Sequence, residues 1–319
     1  MTSGSGVVAV CGHESDGGGA LRDLLAPKPG PGPRESPMSL VTGGRDLLRR
    51  VRDLLGRREG SDRQEPLCVV PMTLGRDPDL IADAARTLLA LPVAERERVV
   101  LAGPFGTAEH LVGWLRAAAN RLPAEAGLLV TAPTGGPFED AELYRIARLV
   151  RQYGRHRIVE VAFTGGDPDP AEGARRCRLL GAERVALLPA AFVPPPVADL
   201  GATLPVGPLL SAPAVLRVVD ARAAEARSRW RDRGDNGMAA GLSAAHSHSH
   251  SHSHSHHNDG HDGDRSHSHD GHGHGRPSHG RHCHDQSDVP QGRDQSPQFH
   301  GDRGKPFAAL AAHARRSTP

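Results

Sequence analysis

VEVAFTGGDPDPAEGARRCRLLGAERVALLPAAF, residues 159–192, decides how this chain folds. It opens on the end of a β-branched apolar run, IVEVAF (158–163), whose length suits a buried strand. Gly165-Gly166 and two Asp-Pro steps break that run. Helical spacing follows over 168–180 and stops at Gly181, a residue suited to a helix C-terminus. RVALLP (184–189) is a second apolar run. Strand, helix and strand in one short stretch form the crossover unit of a parallel sheet.

The same alternation extends in both directions. Upstream, GLLVTA (127–132) reads as a strand, and 139–153 as a helix with Leu143, Ile146, Ala147, Leu149 and Val150 inward. Earlier still, strands are predicted at GVVAVC (6–11), LCVVPM (67–72) and 98–102. Helices are predicted at about 40–56, at 77–91 with Asp77 as N-cap and Pro78 first, and from Thr107 to about 121. A Gly/Pro-rich loop is expected over 16–37, and a final helix within 205–230.

The halves form an imperfect repeat. LAGPFGTAEHLVGWLRAAANR (101–121) aligns with PVGPLLSAPAVLRVVDARAAE (205–225), and VVPMTL (69–74) with LLPAAF (187–192). DLLRRVRDLLG (46–56) aligns with DAELYRIARLVRQYG (140–154), which leaves the first half without a counterpart of the 158–180 strand–helix unit. The expected fold is therefore α/β: two duplicated units with parallel sheets (1–125 and 126–230), the first degenerate, followed by a disordered tail (231–319).

Composition sets further bounds. Lys plus Arg total 39 against 37 for Asp plus Glu, so charge gives no argument for nucleic acid or an acidic membrane. No run of about 18 apolar residues exists for a membrane helix. Ser3, Gly6, Cys11 and His13 interrupt any secretory apolar core, and four dispersed cysteines make no disulfide framework. A reducing cytoplasm is the expected location. Gly17-Gly18-Gly19 and Gly43-Gly44 lack the spacing of a phosphate-binding loop.

Of 20 histidines, 17 follow residue 245. Fifteen lie within 246–284: His246, His248, His250, His252, His254, His256, His257, His261, His267, His269, His272, His274, His279, His282 and His284. Imidazole suits Zn, Ni, Co and Cu, so this segment is expected to bind several divalent ions adaptably.

Several motifs in this order resemble the sirohydrochlorin chelatase (CbiX/SirB) family, class II ferrochelatase-like enzymes of cobalamin and sirohaem synthesis. They are VAVCGHES (8–15), VVPMTL (69–74), Pro104-Phe105-Gly106, DAELYRIARLV (140–150) and the 159–192 stretch. The resemblance implies insertion of a divalent metal into a sirohydrochlorin-like tetrapyrrole, with Co²⁺ foremost and Ni²⁺, Fe²⁺ and Zn²⁺ as alternatives. Metal insertion needs two pyrrole N–H protons to leave while the ion sheds water, and a neutral imidazole suits both tasks. His13 is the expected metal-delivering or proton-accepting group, with Glu14 taking protons or orienting the ring. The same turn also reads as a plain polar loop.

Departures from the family pattern are specific. LGRDPDLIAD (74–83) holds no histidine where one is expected, nor does Ala132-Pro133-Thr134. The histidine of the Pro-Leu-Gly-Pro-His turn is absent, although His110 lies slightly further on. His110 is a candidate ligand, or an exposed helix-surface histidine; Asp77 reads as an N-cap rather than a ligand, and His156 as part of a solvated turn. The competing reading is a non-catalytic metallochaperone on a degenerate chelatase fold. Oligomeric state is not legible.

Overall fold

A computed structural model of the chain describes residues 6–26, 38–58, 65–194, 200–204 and 206–244. The histidine-rich segment 246–284 lies outside them, whereas the start of the tail expected to be disordered from 231 is described and partly helical. The fold consists of two α/β units with parallel sheets. In the first, β1 (Val7–Cys11) is flanked by β2 (Ser39–Thr42) and β3 (Leu67–Met72), with β4 (Val99–Leu101) beyond β3. In the second, β5 (Gly127–Pro133) lies between β6 (Val159–Thr164) and β7 (Val185–Pro189), with β8 (Thr203–Leu204) beyond β7. Every pairing is parallel: Ala9 sits opposite both Leu40 and Val70, and Leu129 opposite both Glu160 and Leu187. β1 and β5 thus hold equivalent places, as the repeat requires.

The helices follow their start and stop signals. α1 (Gly19–Leu25) and α2 (Arg45–Gly56) precede α3 (Pro78–Leu89), where Asp77 Oδ1 accepts from Leu80 N at 2.9 Å and Pro78 occupies the first turn. A short α4 (Val93–Arg96) leads to β4, and α5 (Ala108–Ala119) follows it. α6 (Pro137–Gln152) follows β5, and α7 (Pro170–Leu179) is capped by Asp169 and released at Gly181, whose φ is +99°. α8 (Ala212–Arg233) and α9 (Met238–Ser243) carry the secondary structure past residue 230. Among the described residues no helix is long and apolar enough to cross a membrane.

Three sequence expectations are corrected. The helix predicted from about 40 begins at Arg45, because Ser39–Thr42 pairs with β1 as an edge strand and Gly43-Gly44 ends it. β2 and α2 are therefore the counterpart of β6 and α7, and the first unit is not the reduced one. The second unit passes from β7 to β8 with no helix among its described residues, whereas α3 follows β3. Third, residues 19–25 form α1 within the expected loop, so α6 corresponds by strand order to α1 rather than to α2.

Strand alternation divides the core. Val7, Ala9 and Cys11 join Cys68, Val70 and Met72 in a cluster that also takes in Leu128, Val130, Val161, Phe163 and Leu188 of the second sheet. Val8 and Val10 face the other way, onto Leu47, Val51 and Leu88. The terminal helix of each unit crosses over: α5 packs on α6 and β7, while α8 packs on β3 and β4. Phe105 of the first unit meets Phe192 of the second edge-on at 5.2 Å. This exchange of helices makes one shared core from two sheets, and it holds the C-terminal ends of β1, β3 and β5 near one another.

Candidate metal centre at the strand ends

β1 ends at Cys11, and the chain turns through a short 3₁₀ segment, His13–Gly18. Gly12 makes this turn feasible beside α3, since a Cβ there would stand 2.5 Å from Asp77 Oδ2. Asp77 works with both oxygens. Oδ1 caps α3, and Oδ2 accepts from His13 Nδ1 at 3.1 Å. Glu139 enters from the first turn of α6, where its Oε2 accepts from Gly136 N. One donor atom from each of His13, Asp77 and Glu139 lies within 4.8 Å of the other two.

These residues fit a divalent ion. Cis ligands each about 2.1 Å from a metal lie about 3 Å apart. The His13–Asp77 separation of 3.1 Å thus suits either a direct hydrogen bond or a shared ion. One imidazole and two carboxylates make an oxygen-rich set, compatible with Fe²⁺ and Co²⁺ as well as Zn²⁺. His13 Nε2 is buried with no partner, and with Nδ1 committed to Asp77 it is the atom left to ligate or take a proton. The hydrogen bond His13 donates to Asp77 holds the His13 pKa above its usual value against the opposing effect of burial; the charges of Asp77, Glu14 and Glu139 add to it.

Glu14 points inward rather than toward the cluster. It is fully buried; Oε2 accepts from Leu74 N at 2.8 Å and Oε1 has no partner. Burial raises its pKa, and the charge of Arg76, the Thr73 hydroxyl and the Leu74 N–H oppose that rise. Its backbone carbonyl accepts from Phe192 N at 2.9 Å, tying the His13 turn to the exit of β7. Arg76, beside Asp77, is itself buried: Nε donates to Glu139 O at 3.2 Å and Nη2 to Asp140 Oδ1 at 3.1 Å.

A cavity of about 630 Å³ adjoins this cluster, bounded by Asp77, Gly103, Thr107, Arg145, Arg229 and Gly241. Asp77 is the shared wall; His13 and Glu139 do not line it. Gly75 closes its side, with φ +102° and a Cβ position only 2.4 Å from Ala108 N, so a side chain there would push α5 away.

The remaining sequence candidates separate from the cluster. His110 caps α5, its Nδ1 accepting from Thr107 N at 3.2 Å while its ring stacks on Trp114 at 5.7 Å. It is not brought to His13. His156 is buried rather than solvated, and its ring bridges Ala119 O at the end of α5 and Ala126 O just before β5, at 3.0 Å each. Cys11 is a buried core thiol pushed up to about 11, chiefly by burial, so it presents no thiolate near neutrality. The histidines from His246 to His284 lie outside the described residues. Glu139 was missed in the sequence because its role depends on α6 reaching the first unit. The usable signal was position: like His13, it follows the central strand of its sheet.

Fold and site define a duplicated parallel α/β protein with a histidine–dicarboxylate cluster at its strand ends. No protein-family model matches the chain. A stretch of 70 residues, 21% of this chain, is 40% identical to a sirohydrochlorin cobaltochelatase of Priestia megaterium, and the match spans 23% of that relative's length. Among solved structures, a multi-domain protein of Deinococcus radiodurans, described as structurally similar to chelatases with two additional novel domains, superposes with a TM-score of 0.41. It shares 20% identity over 69% of this chain and 54% of that one.

Proposed function

We propose that this chain handles a divalent metal ion at His13, Asp77 and Glu139 and inserts it into a sirohydrochlorin-like tetrapyrrole, with Co²⁺ as the foremost ion and Fe²⁺, Ni²⁺ and Zn²⁺ as alternatives. The observation that carries this reading is the convergence of those three side chains at the strand ends beside a cavity. The local similarity to a cobaltochelatase supports it.

In this reading the ion and the macrocycle are both substrates. The ion enters as a dication and two pyrrole N–H protons leave, so the charge of the macrocycle site is conserved. Asp77 and Glu139 replace part of the ion's water shell, and Asp77 fixes the His13 ring through Nδ1. His13 Nε2, freed as the ion passes to the macrocycle, accepts one pyrrole proton, and solvent takes the other. The tail, from His246 to His284, would gather ions for the cluster, and the protein would work in the cytoplasm.

Anaerobic incubation with sirohydrochlorin and Co²⁺, followed by absorbance, tests the reading. Insertion should proceed with the native chain, and His13→Ala should slow it at least a hundredfold without unfolding the protein. Full insertion by His13→Ala would remove His13 from the chemistry. A second reading, a non-catalytic metallochaperone, is favoured by the missing family histidines and by the failure of the cavity to reach His13. Co²⁺ binding that depends on His13, without insertion, would select it.

A further inference from the structure

Arg76 is a buried charged side chain beside the cluster, yet nothing in the proposed chemistry uses it. Its guanidinium has no exposure, and it leaves the β3–α3 turn of the first unit to meet the first turn of α6 in the second. Two of its nitrogens are committed to consecutive residues: Nε donates to the carbonyl of Glu139 and Nη2 to the carboxylate of Asp140. Nη1 has no partner. Asp140 carries the grip onward, since Oδ1 also accepts from Gly135 N at 3.0 Å and Oδ2 from Thr134 Oγ1 at 2.9 Å. Gly136 N in turn holds the Glu139 carboxylate.

A buried guanidinium is costly to desolvate, and an apolar side chain of similar size would fill the space without that cost. What the apolar side chain could not do is fix two acceptors of a different unit at once. The planar fork of arginine does so, whereas an ammonium offers a single point of charge. Because Arg76 directly precedes Asp77 and grips the backbone of Glu139, it links the two carboxylates through one rigid group.

We propose that Arg76 is a positioning residue, holding Glu139 of the second unit against His13 and Asp77 of the first so that the metal cluster is assembled across both. It touches neither ion nor substrate, and the proposal rests on the metal-centre reading above.

The test uses full-length protein in which all 17 histidines after residue 245 are serine, leaving the cluster to bind Co²⁺, titrated by calorimetry. Arg76→Lys and Asp140→Ala should each weaken Co²⁺ binding about 10–100-fold, the scale expected when a ligand loses its support. The double variant should bind no more weakly than the worse single one, because both changes cut one linkage. His156→Ala, which loosens the fold elsewhere, should leave the affinity unchanged. Native affinity in Arg76→Lys and Asp140→Ala, with only a lowered melting temperature, would overturn the proposal and leave Arg76 a structural clamp. Should Arg76→Lys fail to fold, Asp140→Ala decides alone. Native affinity in His13→Ala on the same background would defeat the metal-centre reading instead.

Discussion

Glu14 shows how one buried carboxyl couples the site to stability. Burial raises its pKa above the ordinary value of 4.5, so folding favours the neutral form. The sign follows directly: this group's stabilising contribution is fully present below pH 4.5 and is lost as pH rises through its raised folded value. A neutral amide avoids the burial cost that the carboxyl meets when it ionises. Glu14→Gln should melt at a higher temperature than the native chain at pH 7, with Leu74 N still donating to the amide oxygen. The difference should shrink toward pH 4. Thermal unfolding at the two pH values checks this, and a Gln variant less stable at pH 7 would show that the attraction of Arg76 outweighs burial.

Among the elements, α5 joins three tasks at its first turn. Thr107 caps it, His110 returns the contact to Thr107 N, and Thr107 lines the cavity. The helix then crosses to pack on the second unit, burying Leu111 and Leu115. Thr107→Ala should cost about 1 kcal/mol, the usual loss of an N-cap, read by denaturant unfolding. His110→Ala should fall short of that and should leave Co²⁺ binding at the cluster unchanged; a lost site would restore His110 as a ligand. β2 shows where element reading failed. Its four residues are half-buried or exposed at a sheet edge, so they carry too little apolar alternation to stand apart from the helix that follows. Gly43-Gly44 was the available signal, because two glycines seldom open a helix from within.

At the scale of the molecule, two copies of one strand order, 2-1-3-4, share a core because α5 and α8 change places. That exchange sets His13 and Glu139, from different units, within ligand distance. The chain past the described residues holds the histidine-rich segment. With 15 imidazoles in 39 residues, the 246–284 segment is expected to bind more than one divalent ion, each through about two to four ligands. Changing those histidines to serine should lower the Co²⁺ stoichiometry from several ions to one at neutral pH. Native binding should also weaken as pH falls through about 6, where imidazole takes a proton. Equal stoichiometry in the two proteins, by calorimetry, would end the storage role.

The alternating strands and helices, their caps at Asp77 and Thr107, the duplication and the place of His13 at the end of β1 were all legible in the sequence. Each rests on local chemistry: apolar periodicity, a side-chain oxygen before a helix, a glycine after one. The partners of His13 were not legible. Asp77 read as a cap because one oxygen does cap α3; only the approach of Gly12 to Asp77 shows that the other faces imidazole. Glu139 and Arg76 lie more than sixty residues apart and meet through the packing of two units. No spacing rule along the chain encodes that contact. Burial likewise reversed the reading of His156 and turned Glu14 inward, because exposure belongs to the assembled core and not to the residue.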